Sequence, residues 1–516
     1  MTSSNESKIP CTLPLANHPT ELSPAPLLDA FENFNGWWLD LDSGVKTSAS
    51  EIKSARNMLL AEMRAQEVAE GDQVVVALRN GPLFAAVWAA SLEAGASPVL
   101  MHGDTPATEL GEIAERSAAR FIVTETETPH DGGEDSGELL GARALGNLRC
   151  RRAKGRAPDS RSTSLSSSLS YGACLPAMPL HPTSGTTAGP KIAARPGPCA
   201  VAEPLHYIET LGIEPADVLL CAIPMSHAYA YGMCFLVSLL TSANMLFMRR
   251  FHPPLALRAL RELEVTIFPA APWMLDFLLE AEGVGRPRIV LSAGAPLSQS
   301  TFDGYCERHG VRIQPLYGTT ETGGISIGRA EDDFSGGVGP AMRGVVAAVH
   351  SYDGSKDSPG AGLLRVRSSS MMAGYWEDGG ISRAALSDGW FETGDLARVD
   401  SEGRITLLGR QTEIINALGF KVIPREVEEV IGRMPEVAEV KVYAGGIGRD
   451  STSCRRRWHA APRSTKTPSC GIANDIWSAT NVPASFTLSE RSRAPHRGKS
   501  PSPGFRLRPK IRRARS

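Results

Sequence analysis

Short apolar runs alternate with helical stretches over roughly the first 320 residues, and this alternation restricts the possible folds more than any other feature of the chain. NMLLAEMRAQEV reads as a helix and DQVVVALRN as a buried strand. PLFAAVWAASLEAGASPVLM is a helix running into a strand, and ARFIVTET is a further strand. A second series runs from Pro204 to Pro315 through ADVLLCAIP, ANMLFMR, VTIFPAAP, RIVLSAG and VRIQPLYG. Strands alternating with helices give parallel, doubly wound α/β sheets. From Gly336 to Leu408, short strands between Gly turns (GAGLLRVRS, GRITLLG) predict a small antiparallel barrel or sheet. EIINALGFKVIPREVEEVIGRM then predicts a strand, a turn and an amphipathic helix, the opening of a small α+β domain.

Two segments break this order. Residues 147–170 are rich in Arg and Ser and show no period. Residues 447–516 hold 16 Lys and Arg against 3 Asp and Glu, so the preceding 446 residues carry about −15 of the net −2. That near-neutral total excludes a strong overall pull toward nucleic acid or membrane. The nine Cys form no CxxC pair and no spacing with His, which argues against a zinc site or a disulfide framework. The N-terminus lacks a basic, apolar signal segment. The most apolar run, Met233 to Met248, is too short and too rich in Ser, Thr and Asn to span a bilayer and reads as buried core. A cytoplasmic protein is expected.

Four stretches carry chemistry. TSGTTAGPK, Thr183 to Lys191, exposes backbone N–H groups and hydroxyls and ends in a Lys, a composition suited to phosphate oxygens. It is not a Walker A loop, because Pro190 precedes the Lys and the GxxxxGK[ST] spacing is missing. LYGTTETGG, Leu316 to Gly324, follows a predicted strand and offers an aromatic face, hydroxyls and one carboxylate. A carboxylate there suits Mg²⁺. FETGDLARVD places Asp395 after a Gly at a strand edge, where a carboxylate can take two ribose hydroxyls. GRQTEIINALGFKVIPREVE supplies two Gly for tight turns, a Pro and a helix start. Each alone also reads as a polar turn or a surface loop.

Together, and in this order, the four resemble the adenylate-forming superfamily: acyl-CoA synthetases, adenylation domains of peptide synthetases and luciferase-like enzymes. TSGTTAGPK resembles its phosphate loop, with Ala188 where Gly is usual. PMSHAYAYG (Pro224 to Gly232) resembles the motif beside the acyl pocket, and LSAGAPL (Leu291 to Leu297) the adenine-side loop. The resemblance covers about residues 50–446. It implies an AMP-binding N-terminal domain of two doubly wound α/β subdomains plus a small β-barrel-like subdomain over 51–408, after a lead segment 1–50. It also implies a hinge and the start of a small α+β C-terminal domain over 409–446, truncated before an aberrant basic tail, 447–516, expected to lack order. Thr183, Ser184, Gly185, Thr186, Thr187 and Lys191 would hold the phosphates of ATP. Gly294 and Ala295 would border adenine, with Tyr317 packed on it beside Gly318 and Thr319. Thr320 would touch the α-phosphate, Glu321 would hold Mg²⁺, and Asp395 would bind the ribose with help from Arg410. His227 would lie against the carboxylate or the acyl pocket; a core histidine is the other reading. Thr412 stands where the family's hinge residue is usually Asp or Lys.

The implied reaction joins a carboxylic acid to AMP, then passes the acyl group to the thiol of coenzyme A, or of a carrier protein's phosphopantetheine arm. A nucleotide-binding relic without catalysis is the reading from another class. The small domain rotates between the half-reactions in the family, and its catalytic Lys sits in a phrase like LPRTPTGKI, which this chain lacks. Read from the third base of each codon, however, Ser492 to Pro501 permits Pro-Arg-Thr-Pro-(Ser/Pro)-Gly-Lys-(Ile/Val). Ile476 to Ala484 likewise permits Leu-Val-x-Tyr-Lys-(Cys/Arg)-Pro-Arg. The chain therefore reads as frameshifted near Gly446 to Asp450. A genuine basic tail that binds nucleic acid is disfavoured, because it lacks aromatic interleaving.

Overall fold

A computed structural model describes residues 22–125, 138–140, 148–153, 175–183, 189–334, 336–350, 361–377, 379–417, 420–425, 427–428, 437–447, 451–460, 486–489 and 504–509. The chain divides into two compact units. The first takes residues 1–348, 365–392 and 400–405, and the second takes 349–364, 393–399 and 406–516.

Two sheets dominate the first unit, as the alternating pattern requires. One has eight strands among the described residues, in the order Gly323–Ile327, Ile313–Thr319, Ile289–Ser292, Ile267–Ala270, Val218–Cys221, Asn244–Phe247, Trp37–Asp40 and Lys46–Ser48. Its six inner strands are parallel and its two edge strands antiparallel. The other sheet is built on Gln73–Leu78, flanked in parallel by Ser97–His102 and Phe121–Glu125. It continues through Leu180–Pro182, Ile192–Ala194, Gly374–Glu377 and Gly380–Ser382 on one side. Gln73–Leu78 is buried at every position, which explains its unbroken apolar run.

Between the sheets' helices lies an aromatic core. Trp88 and Phe235 meet edge to face at 5.0 Å, Phe84 and Phe235 at 5.3 Å, and Trp38 and Phe235 at 6.0 Å. Such pairs add about 0.5–1.5 kcal/mol beyond their buried area. The apolar run from Met233 is this core. It turns through the π-helix Tyr231–Leu236 and the helix Val237–Thr241 into the strand Asn244–Phe247. Among the described residues no helix is long and apolar enough to cross a membrane. The helix Ala49–Ala65 opens on a capping box between Ser48 and Glu51.

Two segments carry more order than their composition suggests. The aromatic patch of the lead segment is a strand, Trp37–Asp40, parallel to Asn244–Phe247, with Trp38 fully buried. Leu148–Arg152, inside the Arg/Ser-rich stretch, is a strand that buries Leu148 and Cys150 and alternates with its arginines. Its period of two was hidden because only two apolar residues mark it. Residues 154–170 of that stretch lie outside the described residues.

The second unit packs Leu363, Leu396 and Leu408 with Ala361, Ile414 and Ile423. A hairpin follows, Ile415–Ala417 against Phe420–Val422, in the register Ile415↔Val422. Most of the helix expected after Pro424 lies outside the described residues. In the basic tail, Ser451–Ala460, Phe486–Ser489 and Gly504–Pro509 are strands that join Val437–Ile447 in one sheet. The remainder of 448–516 is outside the described residues.

Candidate active site

The parallel strands of the eight-stranded sheet all end at one edge, so the loops that follow them gather there. Ile313–Thr319 leads into Thr320 and Glu321, and Ile289–Ser292 into Gly294 and Ala295. Val218–Cys221 leads into the loop of His227. The chain runs from Val218–Cys221 to Asn244–Phe247 on one side, then returns to place Ile267–Ala270 on the other. A reversal of this kind opens a crevice at the carboxyl ends of the strands, where ligands of open α/β sheets bind.

Gly294 and Ala295 are exposed at that edge, and Gly294 has φ +86° with open space where a Cβ would stand. Thr320 and Glu321 form the tip of a hairpin between Ile313–Thr319 and Gly323–Ile327, in the register Thr319↔Gly323 and Gly318↔Gly324. Gly323, at φ +71°, supplies the left-handed residue that closes it. Thr319 and Thr322 exchange a hydroxyl hydrogen bond of 3.1 Å across the turn. Tyr317 is half-buried, one residue before a register shift at Gly318. A Cβ on Gly318 would stand 2.5 Å from the Gly323 carbonyl oxygen, so the hairpin needs glycine there.

The strands on either side of TSGTTAGPK also pair as a hairpin. Leu180–Pro182 pairs with Ile192–Ala194, and the Thr183 N–H donates to the Lys191 carbonyl at 2.7 Å, closing the loop at its base. Ser184, Gly185, Thr186, Thr187 and Ala188 lie outside the described residues. Ile192–Ala194 also pairs with Gly374–Glu377, with Ala193 opposite Tyr375. The Lys191 ammonium stands 4.6 Å from the centre of the Tyr375 ring. The Tyr375 hydroxyl donates to Glu321 Oε1 at 2.8 Å. Lys191 and Glu321, from two different sheets, are thus joined through one tyrosine. Burial, and then the Glu321 charge, raise the Tyr375 pKa well above that of an ordinary phenol, so it remains a donor.

The stretch before Tyr375 holds the Glu321 turn by its backbone as well. Met372 N–H donates to the Glu321 carbonyl at 2.7 Å, and the Ser370 hydroxyl to the Thr322 carbonyl at 2.7 Å. The Ser370 carbonyl accepts from Arg195 at 3.2 Å. Arg195 pairs with Glu203 at 2.7 Å, with 0% and 1% of the two side chains exposed. Removing one partner of such a pair typically costs 3–5 kcal/mol. Glu203 also fills the space that Cβ atoms on Gly232 and Gly323 would need, and the Tyr207 hydroxyl the space beside Gly324. This buried ion pair fixes which residues the turn can contain.

His227 caps the short helix Ala228–Ala230, its Nδ1 accepting from Tyr229 N–H at 3.3 Å. The residue is exposed at that edge of the sheet, and desolvation lowers the pKa of its ring. It is not a core histidine. His181 is the core histidine here, fully buried against Tyr231, and burial followed by the nearby Arg195 charge keeps it neutral.

In the second unit, Asp395 is 7% exposed and its Oδ1 pairs with Arg410 Nε at 2.8 Å. Arg410 also donates to the Thr393 carbonyl at 3.2 Å, and Asp395 N–H to the Thr393 hydroxyl at 3.1 Å. Gly394, at φ +75°, makes the bend between them possible. Thr412 lies exposed in the single helical turn Gln411–Glu413.

Sequence reading missed Tyr375, Arg195, Glu203 and Ser370. Arg195 and Glu203 did leave a signal, two charges inside the apolar stretch IAARPGPCAVAEPLHY. Tyr375 left none, because its partner Glu321 is 54 residues away and was brought close by sheet order.

A family model described as AMP-binding enzyme matches residues 37–376. The chain is 26% identical over 433 residues to 4-coumarate–CoA ligase 3 of Oryza sativa subsp. japonica, covering 79% of this chain and 76% of that one. It is 29% identical over 276 residues to indoleacetate–CoA ligase of Aromatoleum aromaticum, and that match spans about half the length of each, 50% and 52%. Among solved structures, ATP-bound MatB from Rhodopseudomonas palustris matches with a TM-score of 0.71 at 21% identity, over 88% of this chain and 92% of that one. O-succinylbenzoate coenzyme A synthetase from Bacillus subtilis, in complex with ATP and magnesium ion, matches with a TM-score of 0.67 at 21% identity, over 88% and 92%.

Proposed function

Because the chain belongs to the AMP-binding enzyme family, we propose that it joins a carboxylic acid to the thiol of coenzyme A through an acyl-adenylate. It is an acid–thiol ligase of the adenylate-forming superfamily. The observation that carries the reading is the meeting of the Thr183–Lys191 hairpin with the Glu321 turn at the sheet's carboxyl edge. The relatives' names are those of CoA ligases, which favours coenzyme A over a carrier arm.

In the first step the acid's carboxylate oxygen attacks the α-phosphorus of ATP. The bond to the β-phosphate bridging oxygen breaks, and pyrophosphate leaves. In the second, the thiolate attacks the acyl carbon, AMP leaves, and the thiol proton passes to solvent. The first transition state spreads negative charge over phosphate oxygens, so fixed donors and cations aimed there stabilise it. Thr183, Ser184, Gly185, Thr186, Thr187 and Lys191 are assigned to the phosphates of ATP. Thr320 is assigned to the α-phosphate. Tyr317, Gly318, Thr319, Gly294 and Ala295 are assigned to adenine, and Asp395 with Arg410 to the ribose hydroxyls. His227, its pKa lowered by desolvation, is assigned to the acid.

The donor set at Glu321 fits Mg²⁺. Glu321 Oε2 has no hydrogen-bond partner among the described residues, and no group of three or more His, Cys, Asp or Glu among them could hold a metal alone. A single hard carboxylate suits an ion that takes its other ligands from phosphates and water. When bound, Mg²⁺ supplies charge neutralisation on the phosphates.

The adenylation step is proposed to be slow in this chain, since the family's C-terminal Lys phrase is missing from the residues after 447. The test is ATP–pyrophosphate exchange with a panel of aryl and fatty acids, followed by CoA-dependent release of AMP. Acid-dependent exchange and CoA-dependent AMP release support the ligase. ATP binding with no exchange, even after the tail is restored, supports the nucleotide-binding relic.

A further inference from the structure

The segment Ser370 to Tyr375 touches the Glu321 turn at three points. Two are backbone bonds, from the Ser370 hydroxyl to Thr322 O and from Met372 N–H to Glu321 O, both 2.7 Å. These fix where the turn runs but not where its carboxylate points. The third, from the Tyr375 hydroxyl to Glu321 Oε1 at 2.8 Å, does constrain that, and leaves Oε2 without a hydrogen-bond partner among the described residues. Tyr375 is itself rigid. It is 7% exposed, packed with Ala193, Met371, Met372 and Phe391, and set in a strand opposite Ala193. Lys191 lies two residues from Ala193, on the same face of the strand's alternation, so its stem reaches diagonally over the ring.

We propose that Tyr375 is a positioning residue that aims the Glu321 carboxylate at a divalent cation and seats the Lys191 ammonium beside it. Resting on the ligase reading above, this adds a role for a residue that reading does not use. The hydroxyl sets one charge and the ring face sets the other, so the two functions separate by substitution. Tyr375→Phe removes only the hydroxyl and keeps the packing and the aromatic face. Tyr375→Leu removes both.

The experiment measures ATP affinity of the full chain by calorimetry across a Mg²⁺ titration, without acid or coenzyme A, and thermal melting alongside. Wild type is compared with Y375F, Y375L and E321Q. Y375F is expected to bind metal-free ATP as wild type does, but to need about tenfold more Mg²⁺ for the half-maximal gain, the size of a lost hydrogen bond to a charged group. Y375L is expected to weaken metal-free ATP binding as well, by about two- to fivefold, as the ammonium loses its aromatic seat. A Y375F midpoint within twofold of wild type, with E321Q shifted, overturns the proposal and leaves the ligase reading standing. An early-melting Y375F with an unchanged Mg²⁺ midpoint assigns the tyrosine to packing and also overturns it. If wild type and E321Q respond to Mg²⁺ alike, Glu321 holds no cation, and both this inference and its assignment in the ligase reading fall.

Discussion

At the residue scale, the charges that matter are held by short-range partners whose removal has readable effects. Asp395 is oriented by Arg410 at 2.8 Å and by its own N–H on the Thr393 hydroxyl. If it takes the ribose hydroxyls, Asp395→Asn loses two charge-assisted bonds, and ATP affinity should fall by about 10²-fold with little change in melting. Binding of ATP by calorimetry checks this, and an unchanged affinity removes Asp395 from the site. The histidines predict a pH dependence. Burial lowers the pKa of His181 and His206, that of His206 to about 4. The unfolded chain, with ordinary values near 6.5, therefore binds more protons than the folded one in mild acid. Stability is at its full value above that range and falls as pH drops toward 4, by up to about 1.4 kcal/mol per pH unit for each histidine. Urea melts between pH 7.5 and 4.5 should show this loss. His206→Gln should reduce the slope, and an identical slope would assign it to other groups.

At the scale of elements, two hairpins meet at the candidate site, and the one that carries Glu321 depends on geometry that only a small residue allows. Thr183 and Lys191 close one, and Gly323 closes the other at φ +71° with Glu203 directly behind it. Gly323→Ala should therefore cost more than the strain of a left-handed residue alone. A loss of about 2–4 kcal/mol is expected, since the new methyl displaces a carboxylate from its buried pairing with Arg195. Chemical denaturation measures it, and a cost below about 1 kcal/mol would mean that the ion pair yields without penalty.

At the scale of the whole molecule, the question is what the residues after 446 should be. Replacing them with the tail decoded from the shifted frame restores a Tyr-Lys-x-Pro-Arg phrase and a Gly-Lys phrase. Losing one charge-stabilising group from a transition state costs about 10²–10³ in rate. The restored protein should gain about that factor in acyl-adenylate formation, at an ATP affinity close to that of the present chain. No gain would mean that the basic tail belongs to the protein and that the slow step lies elsewhere.

The sequence by itself determined the layered α/β architecture and the strand runs, and it marked the turns around Lys191 and Glu321 that Tyr375 joins. Val74 to Leu78 are buried on both faces, and that leaves an unbroken apolar run in the chain. The four chemical stretches were legible because turns need particular residues at particular steps, such as Gly323 and Gly394 with positive φ. What only the tertiary structure decided is which of these stretches touch. Tyr375 reaches Lys191 because Gly374–Glu377 lies beside Ile192–Ala194 in one register, and a slip of one residue would turn its hydroxyl to the opposite face. The pairing of Arg195 with Glu203, and the burial of His181 while His227 stays exposed, follow from the same cause. Local pattern records how each segment is buried, whereas partners distant in the chain are set by sheet order and register, which no single stretch encodes.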